Sequence, residues 1–519
     1  MSIGSDLDSE SDSDSDPDGR QHQVHALLTH LGALPAYEGP PNVTDNRPVI
    51  SPRVKIGLAP LCAAWFKQIG ANEPDSRLAV ALRQDYSRVV EFLRGCFDEV
   101  IAPGILSTAG DVGLAVEQFE REQVDAIILL HIVWSEDPVL LGLLDRIGGK
   151  PLWLWNYHPT GIMPPRLTVD DLFRFSGTVG MLQGSAPMQR RGLRPVILSG
   201  APGDAPLARE LREGNAALRI RRAFRGLRAG QVAGRCEAMT GTFVDDDALC
   251  RVLGVKRVAV SAGEYASLCE EVAPCETERY CAELRSRFEV RDVSEPSLRI
   301  AARNTLALDI LVERHDLGAV AIQDLDDELH RLVGTRPCLY PPKSLARGVV
   351  FSAEADLNTA LGMLAASRAA EGPSMYSEIF TFDSRENLLL MGHAGIHDPR
   401  LAAADGITIV PDLEYRHADP VEGAWMEFVL APGPVTCVSL YDTGAGYRMT
   451  VFEGESLGPP RRLDGWGHAV IRPRLEVVDL LSRLVRKGLT QHFAIVHGSV
   501  TALLRRWCFL MGVEFCEEA

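Results

Sequence analysis

The sequence predicts a mixed α/β chain, with two Rossmann-like α/β domains built on parallel sheets, followed by an antiparallel, β-barrel-like C-terminal domain. Three observations carry this prediction. Short apolar runs alternate with stretches of helical period as far as about residue 352, and such alternation specifies parallel sheets covered on both faces. After about Gly372 the texture changes to short runs rich in Val, Thr, Tyr and Phe, separated by Gly, Pro and Asp turns, as an antiparallel sheet requires. Finally, 519 residues are too many for one ordinary core. The expected divisions are an acidic tail and linker (1–50), a first α/β domain (51–175), a second (176–370) and the β-rich domain (371–519).

Residues 1–20 hold six aspartates and one glutamate against one arginine, and so carry −6 of the net charge of −17. Alternating Ser and Asp with almost nothing apolar cannot offset ordering entropy, so this tail is expected to be disordered and solubilising. His22, His25 and His30 follow in a short expected helix, Gln21–Leu31. They have no carboxylate or cysteine beside them and read as surface histidines. The remaining charge of −11 offers no basic face for nucleic acid. No apolar run is long enough to span a bilayer, and no signal core is apparent. Eleven cysteines without a Cys-x-x-C pair fit free thiols in a reducing cytoplasm.

Val54–Ala59 reads as the first strand, and an amphipathic helix follows from Ser76 to Cys96. Further strands are expected at Glu99–Ala102, Asp125–Leu130 and Pro151–Trp155, with helices at Gly110–Gln123 and Pro138–Ile147 between them. Ligands approach such sheets at the carboxyl ends of the strands. His131, Trp134, Asn156 and His158 follow two of these ends and are candidates for a substrate pocket, the alternative being plain loop residues. Thr178–Ser185 is glycine-rich but lacks the spacing of a phosphate loop, so nucleotide binding is not expected. Arg194–Gly200 is expected to open the second α/β unit. It continues through a helix at Ala205–Arg222, a long helix at Leu298–Glu313 and a strand at Gly318–Gln323 to Arg347–Ser352. The basic stretch Arg219–Arg228 reads as a solvated helix face.

The chemistry gathers between Phe351 and Pro399. Glu354 and Glu378 lie 24 residues apart at the ends of apolar runs, and His393 sits between glycines after a strand-like Leu-Leu-Leu-Met. Far downstream, Gln491-His492-Phe-Ala-Ile-Val-His-Gly places a histidine at the head of another apolar run. Carboxylate and imidazole together suit Mn²⁺, Fe²⁺, Co²⁺ or Zn²⁺ and do not make a thiolate zinc site. Solvated carboxylates and a loop histidine remain the alternative on spacing alone. His393 and His397 form a His-x-x-x-His pair, but Gly392 and Gly395 argue against a helix there, which leaves His397 as a supporting residue.

Phe351-Ser-Ala-Glu-Ala-Asp-Leu-Asn-Thr-Ala-Leu resembles the glutamate segment of L-arabinose isomerases, and Leu388-Leu-Leu-Met-Gly-His393 resembles the segment of their first histidine ligand. The segment around His492, and the distance from Glu354 to Glu378, resemble L-fucose isomerases. Val124–His131 through Lys150–Trp155 is similar to a strand–helix–strand unit of their first domain. The chain is thus identified as a distant member of that superfamily, which has two α/β domains and a β-rich third.

The resemblance implies a metal-dependent aldose–ketose isomerase acting through an enediol on a pentose, hexose or deoxysugar. It implies Mn²⁺ or another divalent metal, held by Glu354, Glu378, His393 and His492, with Glu354 and Glu378 also acting as catalytic acid and base. Asp356 would orient Glu354, and His131, Asn156 and Gln491 would contact the sugar. It also implies a homotrimer or homohexamer in which first-domain residues reach a neighbour's pocket. A non-catalytic sugar-binding or regulatory homologue, or a metal-dependent sugar epimerase, stands as the alternative.

Overall fold

The computed structural model describes residues 52–69, 73–412, 414 and 423–518. The expected acidic tail and the 21–31 helix with its three histidines lie outside them. Strands β1 (Lys55–Leu61), β2 (Glu99–Ile101), β3 (Ala126–His131), β4 (Leu152–Tyr157) and β5 (Val196–Gly200) form one parallel sheet in the order β2-β1-β3-β4-β5. All six residues of β3 are buried, as a central strand covered on both faces demands. Helix α1 (Arg77–Arg94) starts where Ser76 accepts the Ala79 N–H, and it buries Leu78, Leu82, Val89 and Leu93 at helical spacing.

The strand expected to open the second α/β unit instead extends the first sheet as β5, pairing with β4 from Trp153↔Val196 to Tyr157↔Gly200. Helix α2 (Ala205–Phe224) then divides its apolar residues between two cores. Leu207, Leu211 and Leu218 pack with the first sheet, while Ala217, Ile220 and Phe224 join a core that includes the second. Arg209 and Arg212 of this helix are exposed, but Arg219 and Arg222 do not form a solvated face. Arg219 pairs with Asp98 and Arg222 with Asp125, the acids being 9 % and 3 % exposed, so the arginines clamp the helix to the start of the first sheet.

The second parallel sheet has the order β10-β9-β6-β7, from β6 (Arg228–Val232), β7 (Lys256–Val260), β9 (Ala319–Ile322) and β10 (Val350–Ser352). The short β8 (Glu289–Val290) leaves it to pair with β13 (Thr408–Pro411), which β14 (Ala424–Glu427) flanks. Helix α3 (Glu295–His315), capped by Ser294, covers the sheet.

Strands β11 (Ser374–Asp383), β12 (Leu388–His393), β15 (Gly433–Asp442), β16 (Tyr447–Ser456), β17 (Gly467–Pro473), β18 (His492–His497) and β19 (Glu514–Glu518) make the third sheet. Its order is β15-β18-β11-β12-β17-β16-β19, antiparallel except for β16–β19. Because β15 also pairs with β16, the sheet curls back on itself in the barrel-like form the sequence predicts. The helix-like run after Glu354 is α4 (Leu357–Ala370), buried without a break from Leu357 to Ser367. A helix apolar all round lies inside a protein, and α4 packs with the second sheet on one side and with Val438, Leu440, Ala494 and Val496 of the third on the other. Its N-terminus therefore lies where the second and third sheets meet. Helix α5 (Val477–Lys487) follows β17, and helix α6 (Thr501–Met511) follows β18. Among the described residues, no helix is long and apolar enough to cross a membrane.

Candidate metal and active site

β10 ends at Ser352, and the chain must turn sharply before α4 begins. It does so through two consecutive left-handed residues, Glu354 (φ 55°) and Ala355 (φ 54°). Each costs of order 1–3 kcal/mol for a residue with a side chain, so the surroundings must hold the turn. They hold it with directed bonds. Glu354 N–H donates to Asp324 Oδ1 at 2.7 Å, Ala355 N–H to Ile322 O at 2.8 Å, and Ala355 O accepts from Gln231 Nε2 at 3.1 Å. Asp356 then caps α4 by accepting the Thr359 N–H and hydroxyl.

This turn aims the Glu354 carboxylate at two imidazoles from the third sheet. Glu354 Oε2 lies 2.9 Å from His492 Nε2 at the start of β18, and Oε1 lies 3.8 Å from His393 Nε2 at the end of β12. One ligand atom from each of the three residues falls within 4.8 Å of the others. Both rings are oriented through their second nitrogen. His492 Nδ1–H donates to Asp356 Oδ2 at 2.7 Å, and His393 Nδ1–H donates to the Ala394 carbonyl at 2.7 Å. In the neutral ring, that orientation leaves each Nε2 lone pair for a cation. Tyr376 of β11 packs against both rings, with centroids 4.6 Å from His393 and 4.8 Å from His492, and its hydroxyl is anchored on Ala353 O.

The residues fit a divalent ion. His492 Nε2 and Glu354 Oε2, though 2.9 Å apart, do not align as a hydrogen bond, and both are buried without another partner. Orphaned atoms of this kind call for a shared bonding partner. Burial works against the His492 imidazolium, but the bond to Asp356 and the nearby Asp356 and Glu354 carboxylates outweigh it and push the pKa up to about 9. A cation on Nε2 requires the neutral ring with its proton on Nδ1, the tautomer that Asp356 selects. Three N/O ligands leave room for a substrate's oxygens.

The other expected site residues fall elsewhere. Glu378 of β11 is outside the three-ligand group but pairs in register with both Gly392 and His492, so it shares a sheet face with His492 and is half-buried. Gln491 is exposed beside His492, with its amide against Met239 Sδ. His397 is buried, its Nε2 meets His393 O at 2.9 Å, and burial lowers its pKa to about 4, all of which fits a supporting role.

His131 and Asn156 lie at the ends of β3 and β4 with partners in the first-sheet region. The glycine-rich stretch after them is a helix, Gly177–Arg190, seated directly on His131. A Cβ on Gly180 would come within 2.5 Å of His131 Nδ1, which explains the glycine there. His131 is 2 % exposed, and its pKa falls to about 4 through burial. Asn156 Oδ1 accepts from Thr178 on the same helix. Sequence reasoning missed Asp324, Tyr376 and Trp466, which touch the site only through folding; no motif marks them.

No protein-family model matches the chain. It is similar to the sulfoquinovose isomerase of Priestia aryabhattai, at 21% identity over 457 residues, covering 86% of this chain and 97% of that protein. It is also similar to the sulfoquinovose isomerase of Alkalicoccus urumqiensis, at 23% identity over 408 residues, covering 78% and 88%. A shorter likeness, 23% over 264 residues, joins it to the sulfoquinovose isomerase of Clostridium sp. (strain MSTE9). These likenesses, two of them running along most of the chain, support an enzyme of the aldose–ketose isomerase class.

Proposed function

We propose that the chain is a divalent-metal-dependent aldose–ketose isomerase, distantly related to L-fucose and L-arabinose isomerases, that works through an enediol. The observation that carries this reading is the convergence of Glu354, His393 and His492, with orphaned ligand atoms on Glu354 and His492. The isomerase relatives favour it over a sugar-binding homologue. The cation we assign is Mn²⁺, with Fe²⁺ and Co²⁺ as close substitutes. When bound, it supplies polarisation of the sugar carbonyl and charge compensation at the sugar oxygens.

The chain's residues do the rest. His393 and His492 hold the cation through Nε2, and Asp356 fixes the His492 ring. Glu354 and Glu378 share the proton work. One carboxylate takes the proton from C2 of the aldose, the other acid delivers a proton to C1, and the hydroxyl proton passes from O2 to O1, so the net change is a shift of two hydrogens. Because the relatives are named for sulfoquinovose, that sulfonated sugar joins pentoses, hexoses and deoxysugars among the substrates to be tried. The purified chain, stripped with chelator, is expected to take up one Mn²⁺ by calorimetry and elemental analysis, and to form ketose from one of these sugars. No uptake by a folded chain would sink the reading.

Assembly belongs to the same proposal. Ile162, Met163, Leu167, Val169, Leu172, Val179 and Leu182 are large apolar side chains, 39–78 % exposed, all within 21 residues at the end of the first sheet. Seven exposed apolar side chains in so short a stretch support an interaction site, which we assign to a homotrimer or homohexamer. Gln491 and, across the interface, Asn156 are the proposed sugar contacts, whereas His131 lies covered by the Gly177–Arg190 helix. Light scattering is expected to give three or six chains, with Met163→Ser and Leu172→Ser together lowering that number; a wild-type monomer at micromolar concentration would refute assembly. All eleven cysteines are free, which supports a cytoplasmic setting.

A further inference from the structure

A buried cation stands behind two of the three candidate ligands. Arg336 is 1 % exposed. Its Nε donates to Asp412 at 2.8 Å, its Nη2 to Asp412 and Glu414, and its Nη1 to Asp324 Oδ2 at 2.9 Å. The other oxygen of Asp324 is the one that accepts the Glu354 N–H at 2.7 Å, the bond that pins the left-handed turn. A second route runs through stacked rings. The guanidinium lies 5.0 Å over Trp425, Trp425 meets Trp466 edge-on at 5.6 Å, and Trp466 stacks on His393 at 6.3 Å. Cys338, Ala394 and Val410 form a buried cluster around Trp425, and Trp466 packs against it partly buried.

Resting on the metal reading above, we propose that Arg336 is a positioning residue for the metal site, holding Glu354 through Asp324 and His393 through Trp425 and Trp466. Its partners explain the residue type. Three acids around one side chain need a charge that is never shed and a planar fork whose donors point in several fixed directions. A lysine offers a single flexible point charge and no flat face for Trp425. Without the fork, the Asp324 carboxylate loses the donor that sets its orientation, and the turn at Glu354 loses its acceptor. The ligand atoms then spread, although no ligand has been changed.

The test is Mn²⁺ calorimetry on the chelator-stripped full chain, comparing wild type, Arg336→Lys, Asp324→Asn and Leu143→Ala. Leu143 is fully buried in a first-sheet core and serves as a control for lost stability alone. Outer-shell partners typically govern metal affinity by 10–100-fold. Arg336→Lys and Asp324→Asn are therefore expected to weaken Mn²⁺ binding by about 10-fold or more. Leu143→Ala is expected to lower the unfolding temperature while leaving Mn²⁺ affinity as in wild type. If the two site variants are folded and bind Mn²⁺ like wild type, the positioning role is wrong. Should Arg336→Lys fail to fold, Asp324→Asn decides, because it leaves the guanidinium bonded to Asp412 and Glu414. A wild-type chain that takes up no Mn²⁺ overturns the parent reading, an outcome distinct from equal binding by all variants.

Discussion

Glu354→Gln is expected to lower turnover by about 10²-fold or more while weakening Mn²⁺ binding only moderately, because general-base catalysis contributes on that scale. Such a loss is roughly 3 kcal/mol of transition-state stabilisation. Glutamine keeps an oxygen that can ligate and nearly the same shape, and it removes only the basic oxygen. The fold should tolerate the change, because the bond that pins the turn uses the backbone N–H of residue 354 and not its side chain. Glu378→Gln is expected to behave alike if both acids act on the enediol, and its position opposite His492 on β11 puts it on the required face. In wild type, solvent deuterium should enter the substrate carbon, since a proton held on a carboxylate exchanges with water and a hydride passed directly between carbons does not. The measurements are steady-state kinetics on an established substrate and mass analysis of product made in D₂O. Normal turnover by Glu354→Gln would sink the proton-transfer mechanism even if the metal site stands.

How much of this was legible in the sequence depends on the range of each interaction. Strands β1, β3 and β4 and helices α1 and α3 could be read from periodicity, since a buried strand or an amphipathic helix writes its environment into its own residues. The partner of β5 could not. Val196–Gly200 has the composition of a strand in either sheet, and only packing of α2 against both cores decides between them. The glycines of 177–190 suggest a loop in isolation, yet they lie in a helix, where their lack of a side chain leaves room for His131. In the site, Glu354, His393 and His492 could be named from local segments and resemblance. Asp356 sits two residues from Glu354, yet its bond to His492 spans 136 residues. The chain from Arg336 through Asp324 to Glu354 has no local pattern, since its members meet only when the loop after β9 folds over the end of β10.

His492→Ala should fail at the earlier step, losing the cation before it loses chemistry. The ring is wholly buried, and its two nitrogens join Asp356 on one side to the Glu354 carboxylate on the other. Deleting it removes one of the three proposed ligands and leaves Asp356 Oδ2 with the Thr359 hydroxyl. Affinity should therefore fall steeply, and raising Mn²⁺ should restore part of the activity, because Glu354 and Glu378 remain. Asp356→Asn is the milder version of the same test. Asparagine caps helices about as well as aspartate, so α4 should keep its start, while the His492 ring loses its charged acceptor. Outer-shell losses of this type run to about 10–100-fold in metal affinity. Thermal unfolding gives an independent readout. A cation at about 100 times its dissociation constant adds roughly 2.7 kcal/mol of stability to the chain that binds it. Wild type should accordingly unfold at a higher temperature in Mn²⁺ than in chelator, Asp356→Asn should need more Mn²⁺ for the same rise, and His492→Ala should show little rise at the concentration that saturates wild type. Equal protection of wild type and His492→Ala by Mn²⁺ would mean that the ion binds elsewhere, and His492 would then have to be struck from the ligand set.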